Sequence, residues 1–408
     1  MWFNSLFLEE LQETNEEITI YDCVASNDSF KENIQDLIDL NVSKENYKVL
    51  IELCDFLMID NVDKFIDKII EIHNYDYSII YEFEDFYKYN SKRLIPMDRD
   101  TLLKAIKLYC EDDKKCFHNY GFSSFWNVSN VENMDYMFAK SEFNGDISKW
   151  NVSKVESMNY LFYFSEFNGD ISNWDVSKVE SMEGMFRQSE FNQNISNWNV
   201  SNVENMGYMF CETQFNGDIS KWNVSNVVNM GSMFAESEFN QDISNWNVSN
   251  VENMEGMFHQ SCFNGNISKW NVSNVQNMGN MFDHCHGFNG DISKWNVSNV
   301  QNMEYMFNQC DDFNGDISKW NVSNVINMSH MFSGSSFNED ISNWNIYNAA
   351  DLSYMFLGTL FNQDISKWNV SNVEYMYGMF AESEFNQDIS NWDLTSLSHT
   401  KEKLYCLD

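Results

Sequence analysis

A tryptophan recurs at 126, 150, 174, 198, 222, 246, 270, 295, 320, 344, 368 and 392, with 24 residues between copies except for two intervals of 25. At this period a unit is too short to bury its own apolar face and must stack on its neighbours. The copy at 143–162, FNGDISKWNVSKVESMNYLF, is representative: Phe-Asn, Ile-Ser, Trp, Asn-Val-Ser, Val, then Met-x-x-Met-Phe or a close variant. Eleven copies carry Phe-Asn followed by Ile-Ser. Ile147, Trp150 and Val152 fall at i, i+3 and i+5, as in the strand segment of a leucine-rich repeat, and Trp150 and Val152 alternate inward, which predicts a short strand near 149–152. Val155, Met158, Leu161 and Phe162 then follow a spacing of three and four, which predicts a short helix or turn. Each coil offers about eight large apolar side chains, worth roughly 1.5–3 kcal/mol apiece when buried. Only coils that share both faces with neighbours can offset the cost of ordering their backbone.

The expected fold class is therefore α+β, with a small helical N-terminal domain leading into a solenoid. The solenoid has about 11–12 coils, each with one short strand and one short helix or turn. The divisions are 1–95 (helical domain), 96–125 (helical cap), 126–394 (repeats of 24 or 25 residues) and 395–408 (C-terminal cap using Leu397 and Leu404). In the first part, Ser43 and Asp60 are placed to cap two helices, and Cys54 reads as a core position. Pro96, the only proline, marks a boundary. Thr101 is placed to cap a further helix bearing Leu102, Leu103, Ile106 and Tyr109, and Gly121 to stop the segment.

The formal charge of −37 is shared by both halves. Such a chain disfavours nucleic-acid backbones and anionic membranes, keeps an aromatic-rich protein soluble, and prefers basic partners. Nine cysteines without a regular framework fit a reducing compartment. The acidic start lacks the pattern of a secretory signal, and no uncharged apolar run of about 18 residues occurs, so the expected location is intracellular.

The invariant columns read as scaffold. A catalytic residue is not needed eleven times, so the Asn and Ser columns are expected to satisfy backbone groups at coil corners. Met and Trp are expected to pack the core rather than hold a cofactor. The Asp before Ile-Ser reads as a turn cap rather than a calcium ladder. The Asn-Val-Ser sequons read as accidental, since glycans on stacked neighbours would collide. No set of catalytic residues or nucleotide-binding loop is found, and no enzyme activity or cofactor is expected.

Specificity is then expected where copies differ, between Met-Phe and the next Phe-Asn, where both 25-residue copies place their extra residue. The candidate partner-binding corner is Arg187, Gln188, His259, Gln260, Asp283, His284, His286, Asn308, Gln309, Asp311 and Asp312. His259, Cys262, His284, Cys285, His286, Cys310, Asp311 and Asp312 also offer zinc-type donors, but in no known zinc spacing, and Cys285 and Cys310 equally suit inward packing. No metal is assigned.

The consensus FNxDISxWNVSNVxNMxxMF, with the preceding KAIKLYCEDDKKCFHNYGFSSFWNVSNVENMDYMF, resembles the BspA-like repeat. That relative of leucine-rich repeats occurs in bacterial surface proteins, mycoplasma proteins and large DNA viruses. The resemblance covers roughly 102–393 and implies a repeat scaffold for adhesion or protein binding. Residues 45–70 resemble the C-terminal helices of BTB/POZ and Skp1-like domains, with Phe56, Leu57, Met58 and Ile59 at the turn. The leading functional expectation is a non-enzymatic protein-interaction scaffold with a protein partner. An adaptor for a cullin-type ubiquitin ligase and a surface adhesin are the alternatives.

Overall fold

The computed structural model describes residues 96–398 together with 69, 404 and 405. The helical domain expected at 1–95, with its expected caps Ser43 and Asp60 and the segment likened to BTB and Skp1 domains, lies outside the described residues apart from 69. The chain divides into two compact units, one holding 1–96 and 114–127, the other 97–113 and 128–408.

In the first unit, helix α2 (Asp113–Tyr120) ends where Gly121, at φ +72°, returns its N–H to the Phe117 carbonyl at 2.8 Å. Gly121 is thus the left-handed stop expected from the sequence. A 3₁₀ turn follows at Ser123–Phe125, and the Trp126 indole N–H donates to the Gly121 carbonyl at 3.2 Å.

The second unit opens with helix α1 (Arg99–Glu111), which buries Leu102, Ala105 and Ile106. Its cap is Asp98 rather than Thr101: the Asp98 carboxylate accepts the Thr101 N–H at 2.8 Å. Asp98 has the extended backbone that a cap requires, whereas Thr101 already lies within the first turn. The Thr101 hydroxyl and this N–H together hold the Asp98 carboxyl below its ordinary range. The helix meets the first repeat through the Tyr109 and Phe143 rings, 4.6 Å apart, and through Arg99, which donates to the Asp135 carbonyl.

From 128 to 398 the described residues contain no helix and no strand longer than one bridge. This corrects the strand expected at 149–152, where the chain turns and the Trp150 N–H bonds back to the Ile147 carbonyl at 3.2 Å. The pairing lies further along, just before the Met column. Parallel bridges run from Asn133 to Ser157 to Ser181 and onward, repeat by repeat, to Tyr375.

The helix expected after Val155 is also replaced. The N–H groups of Met158, Tyr160, Phe162 and Phe164 donate to the Ser181, Glu183, Met185 and Arg187 carbonyls of the next repeat at 2.7–3.0 Å. The intervening N–H groups of Leu161 and Tyr163 close turns onto Met158 and Tyr160. A helix would spend its N–H groups on itself and needs a width of about 10 Å, whereas backbones joined this way lie about 4.8 Å apart. A ribbon of tight turns fits that spacing and still brings Val155, Met158, Leu161 and Phe162 inward, all fully buried.

The core is a set of columns. The Phe of Met-Phe forms an unbroken ladder from Phe138 to Phe380, with successive ring centroids 5.2–6.0 Å apart. The Trp rings stack nearly parallel beside it, as Trp150 does on Trp174 at 6.4 Å. Each indole N–H from Trp174 to Trp392 donates to the Ile carbonyl of the preceding repeat, Trp174 to Ile147 at 3.0 Å and Trp392 to Ile365 at 3.3 Å. The buried aromatic thus contributes area while its one polar atom is satisfied by a neighbour. At the far end Leu404 is buried and its carbonyl accepts the Phe380 N–H at 2.8 Å, while Leu397 is only half-buried.

Candidate interaction surfaces

The ribbon of turns places two residues of every repeat in the left-handed region, four positions apart. The first is the second x of Met-x-x-Met or its Leu variant (Tyr136, Tyr160, Gly184, Tyr208 and so on), and the second follows the Phe of Met-Phe by two (Lys140, Phe164, Gln188, Glu212 and so on). Left-handed backbone costs an L-residue about 1–2 kcal/mol, and here the inter-repeat bonds offset it. Side chains of both columns face outward, so the ribbon is the surface on which repeats differ.

The expected corner residues separate into three groups. Arg187 and Gln188 both bind Glu212 of the next repeat, at 3.2 and 2.6 Å, and the Arg187 guanidinium lies 5.3 Å from the centre of the Tyr208 ring. Further on, Asp283 collects His259, His284 and Asn308: His284 Nδ1 and Asn308 Nδ2 meet its Oδ1 at 2.7 and 2.8 Å, and His259 Nδ1 meets Oδ2 at 3.0 Å. The third group is an exposed pair, His286 Nδ1 with Asp311 Oδ2 at 2.9 Å. Gln260 and Asp312 join the ribbon through their backbone N–H groups, bonded to the Asp283 and His286 carbonyls, and Gln309 is half-buried on the second column.

Two of these residues are corrected as contact residues. Asp283 and Asn308 are 5% and 8% exposed, so they support the corner rather than offer it. Burial alone would push the Asp283 carboxyl up. The hydrogen bonds from His259, Asn308 and His284 outweigh it and hold the group below its ordinary value.

The cysteines and histidines of this corner do not converge. Cys285 and Cys310 point inward and are fully buried, with their thiols on the Phe263 and Cys285 carbonyls at 3.3 and 3.1 Å. Burial pushes the Cys285 thiol up to about 11 and Cys310 higher still, which leaves both protonated and unreactive. Among the described residues no three His, Cys, Asp or Glu side chains are arranged to hold a metal. The extra residue of the 25-residue copies closes one more turn, Phe288 N–H to the Cys285 carbonyl, and leaves the ladder in register.

The polar columns are bonded into the scaffold. Asp170 Oδ1 accepts the Ser172 N–H, Asn168 Oδ1 accepts the Asn192 N–H of the next repeat, and Asn229 Nδ2 donates to Asn205 Oδ1. The carboxyls of Asp170, Asp218, Asp242, Asp291, Asp316, Asp340 and Asp364 are all held below their usual range by the bonds from the serine two residues on.

Two features escaped the sequence reading. The first left-handed column carries stacked rings: Tyr305, His330 and Tyr354 lie 4.3 and 4.7 Å apart, and Tyr136 and Tyr160 lie 5.0 Å apart. Burial lowers the basicity of His330 within its stack. A signal was present, because the central positions of MDYMF, MNYLF, MEGMF and MSHMF vary as freely as the corner does. The second feature is a polar groove of about 930 Å³ lined by Glu252, Asn274, Gln276, Asn299, Gln301, Asn324, Ile326 and Asn348. Its asparagines donate to the serine carbonyls of preceding repeats, as Asn274 does to Ser249 at 2.7 Å. A smaller hollow of about 270 Å³, lined by Glu156, Glu180 and Glu204 among others, repeats the arrangement nearer the start.

Comparison with known proteins gives one positive result. No curated protein and no solved structure matches the chain. Nothing in the comparisons supports the BTB- and Skp1-like resemblance. A family model matches four overlapping stretches, 113–214, 187–262, 259–338 and 315–406, together well over half of the chain. The repeats, with their stacked Phe and Trp columns, are what that model covers: the chain belongs to the family described as "Mycoplasma protein of unknown function, DUF285".

Proposed function

We propose that the repeats form a solenoid scaffold, without enzymatic activity of its own, that holds a protein partner against the outer ribbon. The observation that carries this reading is the division of labour among side chains. The recurring Phe, Trp, Met, Asn, Ser and Asp are taken up by packing or by bonds within and between repeats. What varies from copy to copy lies on the left-handed columns and their connecting turns. A surface that differs from repeat to repeat on an invariant frame suits recognition of an extended or folded protein face. The acidic balance of the chain favours a basic partner.

The test is affinity capture from a matched lysate with the full-length chain as bait. The comparison is a bait with Tyr305→Ser, His330→Ser and Tyr354→Ser, and a second with Tyr136→Ser and Phe164→Gln. One of the two should lose a partner that the parent retains. Equal capture by all three baits would refute the ribbon as the docking face.

A further inference from the structure

The second left-handed column has one exception to its chemistry. Ten copies place Lys, Gln, Glu, His or Gly there; the other places Phe164, at φ +52° and 59% exposed. A bulky apolar side chain in left-handed backbone is disfavoured twice, by its own sterics and by its exposure. It does not stand alone. The Tyr163 ring lies 6.3 Å from Phe164, Tyr160 meets Tyr163 edge-on at 5.9 Å, and Tyr136, 56% exposed, stacks on Tyr160 at 5.0 Å. A Cβ at Gly184, the next residue of the first column, would overlap the Tyr160 ring, so glycine leaves room for it. Four rings from two successive repeats thus form one continuous patch.

A carboxylate and a cation already meet it: the Tyr160 hydroxyl donates to Glu183 Oε1 at 2.8 Å, and Lys140 Nζ lies 5.6 Å from the centre of the Tyr163 ring. Glu142, Glu166 and Glu190 are exposed at one position of three successive repeats, two residues beyond the second left-handed column. Aromatic faces beside carboxylates form a receptor for a planar guanidinium, which stacks on the ring while its N–H groups reach an oxygen. The chain shows the same arrangement one repeat further on, where Arg187 lies over Tyr208 and donates to Glu212. Resting on the scaffold reading above, we propose that the patch of Tyr136, Tyr160, Tyr163 and Phe164 docks an arginine-bearing segment of a basic protein partner. A second copy of this chain is a poor source for that arginine. It has three in all, and Arg99 and Arg187 are already bonded to Asp135 and Glu212.

The experiment uses the full-length protein and a fluorescent 12-residue peptide of alternating Arg and Gly, with a Lys-for-Arg peptide of equal charge as control. Anisotropy is read at about 0.15 M salt, where long-range attraction to an acidic chain is screened. The Arg peptide should bind at least about threefold more tightly than the Lys peptide. In Tyr136→Ser/Phe164→Gln, which installs the residues found at Ser232 and Gln188, Arg-peptide affinity should fall about fivefold and the preference should vanish. Because other repeats carry those residues on the same backbone, the variant should keep the parent's unfolding midpoint or exceed it. Equal binding of the two peptides to the parent, or a preference that survives the double variant, would overturn the proposal. A preference lost instead in Glu156→Gln/Glu180→Gln would place the arginine in the hollow and overturn it too. None of these results touches the scaffold reading, which stands on the capture experiment.

Discussion

The patch around Phe164 and the corner around Asp283 occupy the same ribbon, five repeats apart, on the same alternation of left-handed residues and inter-repeat bonds. Their side chains are organised in opposite ways. At Asp283 a buried carboxylate holds one imidazole (His284) and one amide (Asn308) by hydrogen bonds, with the His259 ring 3.0 Å from its other oxygen. At Phe164 the rings lean on one another, the polar contacts are confined to the inner pair (Tyr160 hydroxyl to Glu183 at 2.8 Å, Lys140 Nζ 5.6 Å from the centre of the Tyr163 ring), and the outermost rings are more than half exposed. One backbone carries both because the repeats are closed by the Phe and Trp columns beneath, with little help from the ribbon's side chains. The surface is therefore free to vary in a way that the interior is not.

The sharpest way to break this comparison is to move the same kind of change inward. Phe234 stacks between Phe210 and Phe258, at 5.8 and 5.9 Å, and against Phe239 at 4.1 Å. Phe234→Ala should cost about 3–5 kcal/mol, read from urea unfolding by tryptophan fluorescence. Because repeats are coupled only to neighbours, hydrogen exchange should rise first in repeats 210–258. An effect no larger than that of Phe164→Gln would mean that the ladder does not set stability.

That asymmetry also explains what could be read in advance. Columns such as Trp150, Trp174 and Trp198 announce themselves by period alone, and so does the burial of Val155, Met158 and Phe162. The path between them does not. Buried side chains three and four apart suit a helix, but successive turns with a left-handed residue every fourth position present the same spacing. Only the space available per repeat, about 4.8 Å, separates the two, and Gly184, Gly256 and Gly378 within Met-x-x-Met were the local hint. The corner was legible as a surface because 25-residue copies expand there. That Asp283 turns inward was not, since an aspartate beside two histidines reads as an exposed cluster until its neighbours in the next and previous repeats are known. The groove was illegible for the same reason: Asn274 and Asn299 look like scaffold and become a wall only when stacked.

A smaller effect is expected from removing the corner's anchor. Asp283→Ala leaves His284 and Asn308 without their shared acceptor, removes the carboxylate 3.0 Å from His259, and should cost about 2 kcal/mol. The pH dependence has a definite sign. The carboxyl is held below its unfolded value of about 3.9, so its contribution is complete above that pH and is lost as pH falls through the lower folded value. The parent should lose its advantage over Asp283→Ala only in that acidic window. A constant difference down to about pH 2 would mean that the carboxylate's charge is not what holds the corner.

At Phe164 the same operation should have the opposite sign. Phe164→Gly matches Gly334 and Gly358 at equivalent positions and relieves left-handed strain, for a gain of about 0.5–1 kcal/mol. If binding weakens while the unfolding midpoint rises, the exposed ring is kept for contact at the expense of stability. A loss of stability would instead make the aromatic patch part of the fold, and the contrast with Asp283 would collapse.

The smallest effect belongs to the turn aspartates, which serve both regions alike. Asn194 and Asn266 already stand where other copies have Asp, and each accepts the same N–H from the serine two residues on, at 2.9 and 3.0 Å. Asp218→Asn should therefore leave the urea midpoint at pH 7 unchanged, while Asp218→Ala lowers it by removing the acceptor. The two should separate in acid. Asp218 is held below its ordinary value by Ser220, so its share of stability is present above about pH 4 and fades as the carboxyl protonates, whereas the amide has no proton to gain. The Asn variant should accordingly unfold at a lower pH than the parent in an acid titration. Coincident titrations would show that the carboxylate's charge contributes nothing beyond the hydrogen-bond acceptor it supplies.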